Sequence, residues 1–194
     1  MSAESEAESI QLEGVEYRPH SMIHKSIVQM DATKLEMLDG FDQTDAGHKF
    51  VPEGTNVRLI ITGKDWGEKQ ILVYGCKASD EAMEYINTVI SKVRDIDHDI
   101  KLVSRPEIVN IAVSGDFGRP LNLEELAIEL PKEGVEVEYE PEQFPAAIVK
   151  FQEPSATFLL FSNGKFSIQG LKSKGDIVPQ INRIVKLIWR DNST

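Results

Sequence analysis

With 194 residues and 41% hydrophobic side chains, the chain can form one mid-sized domain or two tightly joined halves around an ordinary core. Its longest apolar runs, such as Phe158–Phe161, are far too short to cross a bilayer; no apolar leader is visible at the N-terminus; and a lone Cys76 excludes an internal disulfide and a multi-cysteine metal site, so a reducing, intracellular setting is expected. The net charge of −11 weighs against a nucleic-acid binder, because phosphates demand a local excess of Lys and Arg, yet a basic patch can sit on an acidic protein.

Residues 1–20 read as a disordered acidic tail, with Glu4, Glu6, Glu8, Glu13 and Glu16 and no basic residue before Arg18. His20 and His24 have a spacing that suits metal binding on a helix, but no acidic or thiol ligand completes a set. Residues 21–104 then form a first unit. It opens with a strand at Lys25–Gln29, and a later strand ends in Tyr74-Gly75-Cys76-Lys77. A helix follows, with Ile86, Val89, Ile90 and Val93 on one stripe. Cys76 reads as a small buried hydrophobe.

Residues 105–194 repeat that plan. Ile108–Val113 is a strand and Asn122–Leu130 a short helix. Glu136–Glu140 alternates as an exposed edge strand does, within a stretch from Glu124 to Glu142 that holds eight glutamates against Lys132 alone. Ala146–Phe151 is a further strand. Thr157–Phe161 and Lys165–Gly170 form a hairpin through Asn163-Gly164, and a helix runs through Ile177, Ile181, Ile184 and Ile188, with Pro179 in its first turn. Gly75-x-Lys77 and Gly170-x-Lys172 mark the repeat. At the same offset, Ile86-Asn87 matches Ile181-Asn182. The stretch from Ser26 to Gly75 is shorter than that from Asn110 to Gly170, so the first unit is expected to have lost, or the second to have gained, about one strand's worth of chain. Strands followed by a helix, twice over, indicate an α+β fold with an antiparallel sheet. Both faces of Phe158–Phe161 are apolar, so the face that helices leave uncovered is a candidate binding surface. No phosphate loop, nucleophile elbow or catalytic pair of carboxylates is present; the expectation is a non-enzyme without cofactor, metal, small-molecule substrate or membrane.

Residues 107–187 closely resemble the second repeat of the TATA-binding-protein family. The likeness rests on Ile108-Val109-Asn110-Ile111, Leu121-Asn122-Leu123-Glu124, Tyr139-Glu140-Pro141-Glu142-Gln143-Phe144-Pro145, Phe161-Ser162-Asn163-Gly164-Lys165 and Gly170-x-Lys172-Ser173. It implies two unequal repeats forming a curved antiparallel sheet, a saddle with helices on its convex face. It also implies a general transcription factor that binds double-stranded, A·T-rich promoter DNA in the minor groove and recruits a transcription factor B-like protein. That work belongs in the cytoplasm on an archaeal-type nucleoid, or in a eukaryotic nucleus. By position, Phe144 and Phe161 would wedge between base steps, with Pro145 and Leu159 lining the same surface. Asn110 would bond base edges, and Lys150, Lys165, Lys172 and Lys77 would meet phosphates. Ser167 and Gln169 stand on the groove-facing floor where the family has Val and Thr. In the first unit, Ser26 stands at the place of the partner Asn. Phe50 and Trp66 have nearly the wedge spacing, and Trp66 is the candidate DNA contact there. Glu140 and Glu142, with Glu138 beside them, match the acidic stirrup that contacts transcription factor B. The alternative is a divergent interaction protein that binds or sequesters a transcription partner without strong DNA binding.

Overall fold

The alternating stretch from Met22 to Met30 builds the first element. In the computed structural model, which describes residues 14–63 and 65–189, it lies within the strand β1 (Glu16–Asp31). Met22, His24, Ser26, Val28 and Met30 are buried, the period of two expected of a strand with one covered face. His20 and His24 therefore share a strand, not a helix. β1 also takes Glu16–His20 from the stretch read as tail; residues 1–13 of that reading lie outside the described residues.

Two compact units divide the chain: Ser21–Asn110, and Ile111–Thr194 together with the stretch up to His20. In the N-terminal unit β1 leads through a 3-10 turn (Ala32–Met37) to β2 (Phe41–Thr44), β3 (Gly47–Phe50), β4 (Arg58–Ile61), β5 (Trp66–Tyr74) and helix α1 (Ser79–Arg94). The strands lie in the order β2-β3-β4-β5-β1, each antiparallel to its neighbour. One stripe of α1, Ala82, Ile86, Val89, Ile90 and Val93, is buried against Val28, Leu59, Ile61, Ile71 and Val73. Asp80 and Glu81 in its first turn and Lys92 and Arg94 in its last complement the helix dipole. Buried Asp97 ties the unit's other end: its Oδ2 accepts from the Asp31 N–H at 2.9 Å and its Oδ1 lies 3.8 Å from Lys34 Nζ.

The C-terminal unit runs from the end of β6 (Lys101–Asp116) through α2 (Leu123–Glu129) and a 3-10 turn (Leu130–Glu133). Then come β7 (Glu136–Glu138), β8 (Ala146–Phe151), β9 (Ala156–Phe161), β10 (Lys165–Leu171) and α3 (Ile177–Ile188), with strand order β6-β10-β9-β8-β7. Asn122 caps α2, its Oδ1 accepting from the Glu125 N–H at 3.2 Å. The face under the helices holds an aromatic row. Phe117 stacks on Phe166 at 4.3 Å between ring centres, Phe166 meets Phe158 at 6.1 Å, and Phe158 meets Phe151 edge-on at 5.7 Å. Among the described residues no helix is long and apolar enough to cross a membrane.

The repeat survives element by element. Gly75 and Gly170, which mark it in sequence, both have positive φ, +98° and +85°, a conformation that only glycine adopts without strain. The extra length of the second unit does not fall in a strand. β2, β3, β4 and β5 correspond in order and pairing to β7, β8, β9 and β10. What the first unit lacks is the helix between its opening strand and the next: the turn Ala32–Met37 stands where the second unit has α2 and its 3-10 extension.

Two consequences are measurable. A Cβ on Gly115 would overlap Cζ of Phe166, whose ring is buried and stacked on Phe117. Gly115→Ala is expected to cost about 1–3 kcal/mol through overpacking, read as a lowered denaturant midpoint with unchanged slope. Burial pushes the Cys76 thiol up to about 11, with Glu81 adding to the shift. The native thiol should therefore resist alkylation at neutral pH and label only as fast as the protein unfolds. Because the unfolded thiol ionises first, its contribution should erode stability as pH rises from its ordinary 9.0 toward 11, measurable in alkaline denaturation curves.

Candidate nucleic-acid interface

The strand period decides which side chains can form an interface. In the C-terminal unit the helices take Ile111 and Val113 of β6, Ala147, Val149 and Phe151 of β8, Phe158 and Leu160 of β9, and Phe166 and Ile168 of β10, all buried. The alternate residues face the other way, and strand register assembles them in rows. Ile148 pairs with Leu159, Leu159 with Ser167, and Ser167 with Ser114. One row over, Lys150 pairs with Thr157 and Thr157 with Gln169. At the far end Ala146 pairs with Phe161. Leu159, Ser167, Lys150, Gln169 and Phe161 thus share one face, as does half-buried Asn110 by its alternation with buried Ile111.

The turn between β7 and β8 completes it. Glu140 O accepts from the Gln143 and Phe144 N–H groups at 2.9 and 3.0 Å, closing the chain over Pro141-Glu142. This delivers Phe144 edge-on to Phe161, 6.4 Å between ring centres at 69°. Phe144 remains 41% exposed and Phe161 half-buried, whereas the other phenylalanines of this unit are buried. Two adjacent aromatic rings at the end of a sheet face, open to solvent, form a wedge-shaped apolar edge. Pro145 is exposed beside them.

The charged residues are placed unevenly. Lys165, exposed at the start of β10, pairs in register with Asp116, and Lys172 is exposed just after β10. Lys150 does not stand alone: its Nζ lies 2.9 Å from Glu138 Oε1 and 3.4 Å from Glu136 Oε1. These partners, Glu138 first, hold the ammonium above the usual lysine range. Glu138 therefore shares the face of Lys150, while Glu140 and Glu142 are exposed in the turn beyond β7.

In the N-terminal unit the register changes the residues in question. Ser26 pairs with Ile71 on the buried face, so it cannot occupy the place of a groove-facing Asn. A shift of one residue moves a side chain to the other face. Phe50 is likewise no wedge: it is 7% exposed and stacked on Phe41 at 5.0 Å within the core. Trp66, 60% exposed at the start of β5, and Lys77, exposed after Gly75, remain accessible. The face away from α1 carries residues that, apart from Tyr74, sequence reasoning missed. A row runs from Lys49 through Ile60 and Leu72 to Lys25, and beside it Arg58 pairs with Tyr74, its guanidinium 4.4 Å from the ring centre. Lys25 and Tyr74 lie an odd number of positions from buried Val28 and Val73 and so face the other way; setting that parity requires knowing which residues are buried.

Among the described residues, no group of three or more His, Cys, Asp or Glu could hold a metal ion. His20 Nδ1 instead lies 2.8 Å from Ser114 Oγ.

Residues 105–190 match the family model described as "Transcription factor TFIID (or TATA-binding protein, TBP)". A TATA-box-binding protein of Natronomonas pharaonis is 40% identical over 118 residues, covering 60% of this chain and 61% of that protein. One from Pyrococcus horikoshii is 34% identical over 117 residues, covering 60% and 59%. The chain thus matches about 60% of the length of these relatives. The structure of Methanococcus jannaschii TBP superposes with a TM-score of 0.72 at 26% identity, covering 90% of this chain and 99% of that one, and bears out the expected α+β fold class. The family-model match to residues 105–190 and the likeness of fold across nine-tenths of the chain make this chain similar to the TATA-binding proteins.

Proposed function

We propose that this protein acts in transcription initiation by binding A·T-rich duplex DNA in the minor groove, and that its acidic turn recruits a transcription factor B-like protein. The observation that carries the reading is the exposed Phe144–Phe161 pair at the end of a sheet face whose other members are mostly apolar or small and polar. Such a face fits the shallow, degenerate edge pattern of A·T pairs, and aromatic rings at its end can be inserted between base steps. Unstacking a step is offset by the extra surface a bent duplex buries. In this reading Leu159 and Pro145 line the groove, Asn110, Ser167 and Gln169 meet base edges, and Lys165, Lys172 and Lys77 meet phosphates. Trp66 adds an aromatic contact from the first unit. Glu140 and Glu142 suit a basic partner, which their charge would steer toward the turn.

The test separates folding from binding. Phe144 is 41% exposed and meets Phe161 edge-on, so Phe144→Ala should cost only about 1 kcal/mol of stability. It should nevertheless weaken binding of a fluorescent A·T-rich duplex about tenfold or more, the scale of losing one base–aromatic stack. Equal affinity of wild type and variant would count against the wedge, and no binding at low salt, with or without the partner factor, against the DNA reading as a whole.

A second reading, an interaction protein with weak DNA grip, draws on the neutralisation of Lys150 by two glutamates and the net charge of −11. In that case partner capture should survive Phe144→Ala and Phe161→Ala and be lost when Glu140 and Glu142 are replaced by Lys.

A further inference from the structure

β7 is only three residues long, Glu136-Val137-Glu138, and pairs on one side alone, with β8. Its period of two sends both carboxylates to one face and Val137 to the other. The register sets Glu136 opposite Lys150 and Glu138 opposite Ile148, and Ile148 in turn pairs with Leu159. Both carboxylates therefore stand on the face proposed above to meet DNA. They are more exposed than the ammonium they flank: 58% and 55% against 36% for the side chains. Charged edge strands commonly serve to block strand addition, which any exposed charge would achieve. Here the geometry is more specific: two anions from alternate positions converge on one cation from the neighbouring strand, leaving that corner of the face with one net negative charge.

We infer that Glu136 and Glu138 are negative determinants of DNA binding, which occupy Lys150 in place of a phosphate and bar the duplex backbone from the β7–β8 edge. The inference rests on the DNA reading of this face. A phosphate approaching Lys150 meets two carboxylates already at contact distance. To displace them it must leave both unpaired beneath a polyanion, where each is repelled. Lys150 then releases no counterion when DNA binds, and affinity comes from the apolar edge and from cations elsewhere. The device favours a duplex that bends readily over a stiff one, since the backbone attraction common to every sequence is reduced while shape-dependent contacts are untouched.

The experiment is a titration of one fluorescent A·T-rich duplex over a range of salt concentrations. It uses the full chain as wild type, Lys150→Gln, Glu136→Gln/Glu138→Gln, and the three changes combined. The double glutamine variant should bind several-fold more tightly at low salt, with a plot of log affinity against log salt steeper by about 0.9, one additional phosphate neutralised. Lys150→Gln alone should leave the slope unchanged, and adding it to the double variant should return the slope to the wild-type value. Wild-type binding with no gain in the double variant overturns the inference, as does a slope already lowered by Lys150→Gln alone or a steeper slope that persists in the triple variant. Absence of binding by every variant overturns the DNA reading itself, and this inference with it.

Discussion

A strand sends successive side chains to opposite faces, and in each unit the helices cover only one of them. The sheet face of the proposed interface follows from that division. The covered face is filled to the limit: Phe166 lies so close over β6 that position 115 admits only glycine. The other face keeps what the core leaves to it, and its chemistry is set by the residues one position away from the core residues. Leu159 and Phe161 are left to the other face because Phe158 and Leu160 are the residues buried in the core.

The two units show how the same plan diverges. Each has five strands in the same pairing order, and each ends its long hairpin strand with a glycine of positive φ before the closing helix. They differ in the connection after the opening strand, helical in one and a short 3-10 turn in the other. They differ also in where aromatic residues go. The C-terminal unit exposes a pair at the end of its sheet face, whereas the N-terminal unit stacks Phe41 on Phe50 inside its core and leaves Arg58 over Tyr74 on the opposite face. A guanidinium on an aromatic ring is a polar, cationic contact where the other unit offers an apolar wedge, so the two faces are chemically unlike despite a common topology.

Charge explains how a protein of net charge −11 can resemble a family named for binding DNA. Net charge sums over the whole surface, but binding reads only the face in contact. The glutamates between Glu124 and Glu142 divide among α2, the turn after it, β7 and the β7–β8 turn, and only those of β7 point onto the face with Leu159. The proposed partner surface at Glu140 and Glu142 and the fence at Glu136 and Glu138 are neighbours in sequence, separated in role by a strand end and a turn.

The sequence by itself determined the α+β class, the repeat, the Asn163-Gly164 hairpin, the short helix that starts near Asn122 and the family motifs of residues 107–187. These are local signals: a turn residue, a cap or an alternating run fixes its own few residues whatever the rest of the chain does. It also marked Phe144 and Phe161 as a pair, because motif spacing survives where residue type alone would have put both in the core. Only the tertiary structure decided parity. Ser26 was set at the place of the groove-facing Asn because a comparison between diverged strands can slip by one residue without any local sign of it, while one position in register exchanges core for surface. Likewise only strand pairing could bring Lys150 to Glu136 and Glu138, since an ion pair between residues 12 and 14 positions apart depends on which strands are neighbours and in what register.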